Sequence, residues 1–130
     1  MPLLQDVHVL VVDDEAEVRD VIADILEFHG ATVSSAGSGD EAIRTLEARA
    51  PDVIVTDIAM VNGDGFWLLR EVRKRTLLGV PVIAISGHMD AGEQERLLAA
   101  GFDFLVAKPM QFDYLVQIVA RSMGRADDEL

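Results

Sequence analysis

Five short apolar runs rich in β-branched residues recur along the chain, at Val7–Val12, Ala31–Ser35, Asp52–Thr56, Val80–Ile85 and Phe102–Ala107. The first and fourth are hydrophobic with hardly a break, the pattern of strands covered on both faces. Between the runs the period changes. Val18, Val21, Ile22, Ile25 and Leu26 follow the i, i+3, i+4, i+7, i+8 spacing of one buried helical stripe, and Gly30 follows as a C-terminal cap. A second helix opens at Ser38-Gly39-Asp40-Glu41, a capping-box pattern, continues through Ala42, Ile43 and Leu46, and stops before Pro51. A third runs from about Gly65 to Thr76, a fourth from Asp90 to Ala100 with Gly101 closing it, and a fifth from Gln111 to Met123.

Strand and helix alternating five times predict an α/β chain: a parallel sheet with helices on both faces, three layers in all. Right-handed crossovers leave few topologies, and the doubly wound, flavodoxin-like order 2-1-3-4-5 is the expected one. With 130 residues and no repeat, low-complexity stretch or linker, residues 1–130 are expected to form one domain, its core at about 6–123 and a fraying polar tail at 124–130.

Composition removes several function classes. Acidic residues number 23 against 11 basic, a net charge of −12, whereas nucleic-acid surfaces are basic. Half the residues are hydrophobic, enough to build a core despite the charge. The absence of cysteine excludes disulfides, thiolate-bound zinc and a thiol nucleophile. The apolar runs are too short to span a bilayer, and Met1–Asp6 lacks the basic flank of a signal peptide. A cytoplasmic protein that binds neither membrane nor nucleic acid is expected.

In a doubly wound sheet, ligands bind beyond the carboxyl ends of the strands where strand order reverses, here between the first and third strands. Asp13-Asp14-Glu15 follow the first strand and Asp57 the third; the fourth ends in Ser86-Gly87 and the fifth in Lys108-Pro109. Three carboxylates, a hydroxyl and one of only two lysines are therefore expected on one edge. Carboxylates so close repel one another unless a cation compensates. Mg²⁺ suits them, since it takes a few carboxylate or carbonyl oxygens and shares its shell with phosphate. Such an ion would neutralise charge in phosphoryl transfer, with Lys108 and the Ser86 hydroxyl on the remaining oxygens and Asp57 as a nucleophile needing no base. Each residue also has a plain structural reading. Asp14, with Glu17 three residues on, fits a helix N-cap; Asp57 and Ser86 fit turn residues, and Lys108 a solvated cation. His8, His29 and His88 have no metal-ligand spacing, and His8 reads as packing or surface.

Taken in order, these residues resemble a family. Asp13-Asp14 after Val-Leu-Val-Val, Asp57 after Val-Ile-Val-Thr, Met60-Val61-Asn62-Gly63-Asp64-Gly65, Pro81–Gly87, and Ala100-Gly101-Phe102-Asp103 leading to Lys108-Pro109 carry the likeness. The chain is similar to the receiver domains of bacterial two-component response regulators over about residues 6–123. The resemblance implies that Asp57 accepts a phosphoryl group from a phosphohistidine of a histidine kinase or histidine phosphotransfer protein. It implies Mg²⁺ (or Mn²⁺) on Asp14, Asp57 and the Ala59 carbonyl, with Asp13 acting through a water. Lys108, Ser86 and the Gly87 backbone become phosphoryl-oxygen partners, and the Lys108-Pro109 peptide is implied to be cis. Phosphorylation would remodel the face of the fourth helix, fifth strand and fifth helix; a homodimer is a candidate partner state, with monomer against dimer left open. No catalysis is expected beyond self-phosphorylation and slow self-dephosphorylation.

Some positions depart from the family pattern. Val61 stands where proline is usual, and Gly87 where alanine is frequent. Leu105 replaces the aromatic of the usual hydroxyl–aromatic switch region, leaving Ser86 as its other half. Ala59 and His88 occupy the two positions that tune dephosphorylation. Three rival readings stand beside this one: a receiver-like docking module that is never phosphorylated, a Mg²⁺-dependent phosphatase, and a flavodoxin-like mononucleotide binder. The phosphatase pattern needs an acid two residues after the nucleophile, where this chain has Ala59. A flavin site needs a phosphate-cradling loop where this chain has Asp13-Asp14-Glu15.

Overall fold

The computed structural model describes residues 2–61, 64–75 and 79–125. In chain order the elements are β1 (His8–Val12), α1 (Ala16–Phe28), β2 (Thr32–Ala36), α2 (Gly39–Ala48), β3 (Val53–Asp57), α3 (Gly65–Lys74), β4 (Val82–Ser86), α4 (Ala91–Ala100), β5 (Phe104–Ala107) and α5 (Phe112–Ser122). The five strands form one parallel sheet in the order β2-β1-β3-β4-β5, as the alternation predicts.

Alternate residues of a strand face opposite ways. Along β1, Val9 and Val11 therefore join one core with Ile22 and Leu26 of α1 and Leu115 and Val119 of α5. Leu10 and Val12 join the other, with Leu46 of α2, Leu68 of α3 and Leu97 of α4. With apolar partners on both sides, β1 has no need of polar alternation. β2 lies on the edge, and its outer positions Thr32 and Ser35 are exposed.

The strand limits differ from the apolar runs. β2, β3 and β4 each end one residue later than the run that marks them, because the hydrogen-bonded ladder decides the end. Asp57 pairs with Ile85, and Ser86 with Ala107. Both polar residues are thus the last members of strands, and each is only 5 % exposed. The expected end of the third helix, Thr76, lies outside the described residues.

Capping follows the sequence in part. Ser38 Oγ accepts from Glu41 N at 3.1 Å, yet Glu41 Oε2 reaches Gly37 N rather than that of Ser38, so half of the capping box forms. Asp64 and Asp90 cap α3 and α4 through the amides of Trp67 and Glu93. Asp14 is not a cap: α1 begins after Glu15, whose side chain makes no capping bond. Val21, expected in the buried stripe of α1, is 44 % exposed, since only Ile22 and Leu26 of that helix are fully buried.

The packed region starts earlier than residue 6. Leu4 is fully buried, and its amide donates to His29 O at 2.8 Å. Gly30, at φ +100°, allows this approach: a Cβ there would sit 2.8 Å from Pro2 Cβ. At the other end Arg125 donates to Leu3 O at 2.9 Å, tying residues 124 and 125 back to the body; the rest of the polar tail lies outside the described residues. No helix among the described residues is long and apolar enough to cross a membrane.

Candidate functional site

The carboxyl edge of the sheet assembles the acidic residues because parallel strands end together. Asp13 follows β1 directly, its amide bonded to Ala36 O at the end of β2, and is 1 % exposed. Asp57 ends the neighbouring β3. Asp14, one residue further, is exposed, and its Oδ2 accepts from Val61 N at 3.3 Å in the loop beyond β3. The three side chains present carboxylate oxygens that all lie within 4.8 Å of one another. Lys108 comes in from the end of β5, with Nζ 3.2 Å from Asp57 Oδ2 and 3.8 Å from Asp13 Oδ2. The Lys108–Pro109 peptide is cis.

Charge is poorly balanced here. Burial pushes the Asp13 carboxyl above its ordinary range, and the Asp57 and Asp14 charges push the same way; the Glu15 amide and Lys108 only partly oppose them. Asp13 Oδ1 accepts from Glu15 N at 2.9 Å, while Oδ2 is buried with no hydrogen-bond partner among the described residues. Burial disfavours the charge on Lys108, but Asp57, Asp13 and Glu15 outweigh it and hold the ammonium above its ordinary value. One ammonium faces three carboxylates. A hard divalent cation would fit that excess and the orphaned oxygen together.

The loop after β3 is held close. Ala59 N donates to Asp57 Oδ1 at 3.3 Å, and Thr56 Oγ1 donates to Asp57 O at 2.9 Å. Gly65 N donates to Ile58 O, and a Cβ at Gly65 would stand 2.9 Å from Asp57 O, so only glycine fits. Ala59 is exposed; Asn62 and Gly63 lie outside the described residues.

Ser86 is placed on the same edge but turned elsewhere. Its Oγ donates to His88 O at 2.9 Å and accepts from His88 N at 3.2 Å, closing a small turn. Only its backbone meets Lys108, whose amide donates to Ser86 O at 2.9 Å. Gly87 is exposed, and a Cβ there would meet nothing within 4 Å. The His88 ring points to Asp90, Nε2 to Oδ2 3.0 Å, rather than toward Asp57. Leu105 is half-buried against the α2–α3–α4 core. Of the packing and surface readings for His8, the structure shows packing: it is buried, with Nε2 2.7 Å from Ser34 Oγ.

One neighbour of the acidic cluster went unread in the sequence. Arg19, the sole basic residue of α1, donates from Nη1 to Asp13 O at 2.8 Å. Its isolation in an acidic helix was the available signal. Beside Lys108, a groove of about 500 Å³ opens between Val18 and Val21 of α1 and Pro109, Met110 and Phe112, which explains the exposure of Val21.

The profile described as the response regulator receiver domain matches residues 9–120. The crystal structure of the receiver domain of NtrX from Brucella abortus superposes with a TM-score of 0.83 at 32 % identity, covering 91 % of this chain and 99 % of that one. The receiver domain of Francisella response regulator 1452 gives 0.82 and 30 %, over 91 % and 99 %. Sensor histidine kinase RcsC of Salmonella typhimurium is 34 % identical over 115 residues, which are 88 % of this chain and 12 % of the kinase. A profile match across most of the chain, joined to superposition on whole solved receiver domains, places it: this chain belongs to the response regulator receiver domain family of two-component signalling.

Proposed function

We propose that Asp57 accepts a phosphoryl group from the phosphohistidine of a histidine kinase or histidine phosphotransfer protein, and that the chain passes the change on through protein–protein contacts. The carrying observation is the ring of groups about Asp57: carboxylate oxygens of Asp13 and Asp14 within 4.8 Å and Lys108 Nζ at 3.2 Å. An ionised carboxylate needs no general base. An Asp57 oxygen bonds to phosphorus as the N–P bond breaks, and the bonding pair leaves with the donor imidazole, which takes up a proton. Lys108 turns from Asp57 Oδ2 to the oxygens of the transferred group. Asp14, Asp57 and the Ala59 carbonyl would hold Mg²⁺ (or Mn²⁺), with Asp13 reached through a water, a fit for its unpartnered Oδ2. When bound, the ion supplies charge neutralisation at the phosphoryl oxygens.

For Ser86 Oγ to join those oxygens, its two bonds with His88 must break. The Gly87 backbone, unshielded by a side chain, offers a further donor. α4 is the element readiest to follow, because Leu97 is its only buried residue and its cap Asp90 is paired with His88. The output face is then that of α4, β5 and α5, where a homodimer would also form. With Leu105 in place of an aromatic ring, Ser86 carries the switch. Ala59 cannot hold an attacking water and His88 is engaged with Asp90, so the two govern the phosphoryl lifetime. Activity stops at self-phosphorylation and slow self-dephosphorylation, in the cytoplasm where such donors act.

Beryllium trifluoride with Mg²⁺ tests the reading. A new bound ¹⁹F signal and shifted α4 amides are expected in the wild type and absent from Asp57→Asn; no signal in the wild type overturns it.

A further inference from the structure

The β1 ladder ends at Val12, its last bond to β2 running from the Asp13 amide to Ala36 O. The Asp13 carbonyl is therefore beyond the ladder. Among the described residues no backbone N–H reaches it, and its hydrogen bond comes from Arg19 Nη1 at 2.8 Å. That carbonyl belongs to the Asp13–Asp14 peptide. Turning the peptide plane re-aims the Asp14 side chain, because the plane sets the direction in which the next Cα–Cβ bond leaves. Arg19 itself is anchored one turn into α1, with its amide bonded to Glu15 O. Among the described residues, Asp14 has only a long 3.3 Å bond from Val61 N to hold its carboxylate, and it is exposed.

We propose that Arg19 is a positioning residue for the metal site, holding the Asp13–Asp14 peptide so that the Asp14 carboxylate faces Asp57; this rests on the Mg²⁺ reading above. Arg19 touches neither the reacting carboxylate nor the ion. It acts through Asp13 O. A charged donor on a carbonyl beyond the ladder is worth more than a neutral one. The arginine is wedged as well: a Cβ at Gly37, in the loop before α2, would lie 3.1 Å from Nη1. The absence of a side chain at Gly37 leaves the guanidinium its place over the loop, so the β2–α2 connection takes part in setting the acidic pair.

The sign of one measurement separates this from simple electrostatics. A guanidinium beside a cation site repels the cation, so if charge alone mattered, removing Arg19 would tighten Mg²⁺ binding. If positioning matters, removal weakens it. Titration of the folded proteins with Mg²⁺ alone, read by calorimetry, is expected to show Arg19→Ala binding about tenfold to a hundredfold more weakly, the range of lost outer-shell partners. Arg19→Lys, which keeps a charged donor without the planar fork, is expected to recover part of the loss. Gly37→Ala, pressing Nη1 off the carbonyl without altering any charge, is expected to weaken binding in the same direction by less. In the metal-free protein, the Asp14 and Glu15 amides of Arg19→Ala should exchange with solvent faster than in the wild type.

Equal or tighter Mg²⁺ binding by Arg19→Ala, with the wild type binding normally, overturns the role of Arg19 and leaves the metal reading standing. A wild type that binds no Mg²⁺ overturns both. Should Arg19→Ala fail to fold, Arg19→Lys and Gly37→Ala decide: wild-type affinity in both overturns the proposal.

Discussion

Two polar corners share the carboxyl edge of this sheet, and they are prepared to different degrees. Around Asp57, the acids and Lys108 already face one another, with Asp13 Oδ2 lacking a hydrogen bond among the described residues and negative charge in excess. Around Ser86, the hydroxyl both gives and accepts a bond with the His88 backbone, and the His88 ring is paired with Asp90. The first corner is open-ended and ready for a cation. The second is closed on itself and can join only by giving up bonds it has. Under the proposed phosphoryl transfer, the acidic pocket would set affinity and the Ser86 turn, which would have to break, would set a threshold.

That contrast can be broken most strongly at Asp14. Asp14→Asn should cost at least the roughly tenfold to hundredfold in Mg²⁺ affinity that outer-shell losses cause, while leaving the Ser86 turn intact by amide chemical shifts. Equal disturbance of both corners would mean they are already coupled in the resting protein. Next in size is Gly65→Ala. The added Cβ would press on Asp57 O and Ile58, and a loss of about 1–3 kcal/mol is expected in urea unfolding. Its metal site should weaken along with its fold, since the same backbone carries Asp57.

Ser86→Ala tests the other corner. Loss of its two bonds to His88 should cost about 1 kcal/mol, with Mg²⁺ affinity unchanged in calorimetry. A change in affinity would show that the hydroxyl already serves the acidic pocket.

The smallest effect is a pH slope. Asp13 in the folded protein holds its proton above its ordinary value of 3.8, so the native state binds more protons than the unfolded one as pH rises from there. The Asp13 contribution to metal-free stability should therefore fall with rising pH across that window. Asp13→Asn should flatten the slope and raise stability slightly at neutral pH, and Mg²⁺ should flatten it in the wild type. Thermal unfolding from pH 4 to 7 checks this; a slope unchanged by Asp13→Asn would mean Asp13 is adequately paired.

Much of this was legible from local pattern. The apolar runs and helical periods marked ten elements, since periodicity records which faces are covered. Strand ends were read one residue short at Asp57 and Ser86, because hydrophobicity stops where a polar side chain begins whereas a ladder continues through backbone groups that ignore side-chain polarity. The residues to watch on the carboxyl edge were readable as positions; their relations were less so. The sequence places Ser86 on the edge that bears Asp57, and the structure adds that its hydroxyl bonds to the His88 backbone. Nothing in sequence separates a rotamer facing Asp57 from one facing His88, since both partners lie within a few residues of the edge. Arg19 passed unread because its partner is a backbone carbonyl, which no residue type advertises.

The sequence by itself determined the order of strands and helices, the buried faces, and which few acids and which lysine end the strands, because these follow from side-chain period and from the rules of parallel connection. Only the tertiary structure decided the distances at which Asp13, Asp57 and Lys108 meet, that Val21 opens onto a groove and that the Ser86 hydroxyl bonds to His88. Those facts depend on distances between segments 44 to 95 residues apart and on which of several satisfied hydrogen-bond arrangements the packed backbone permits. Packing in three dimensions sets both, and period along one dimension carries neither.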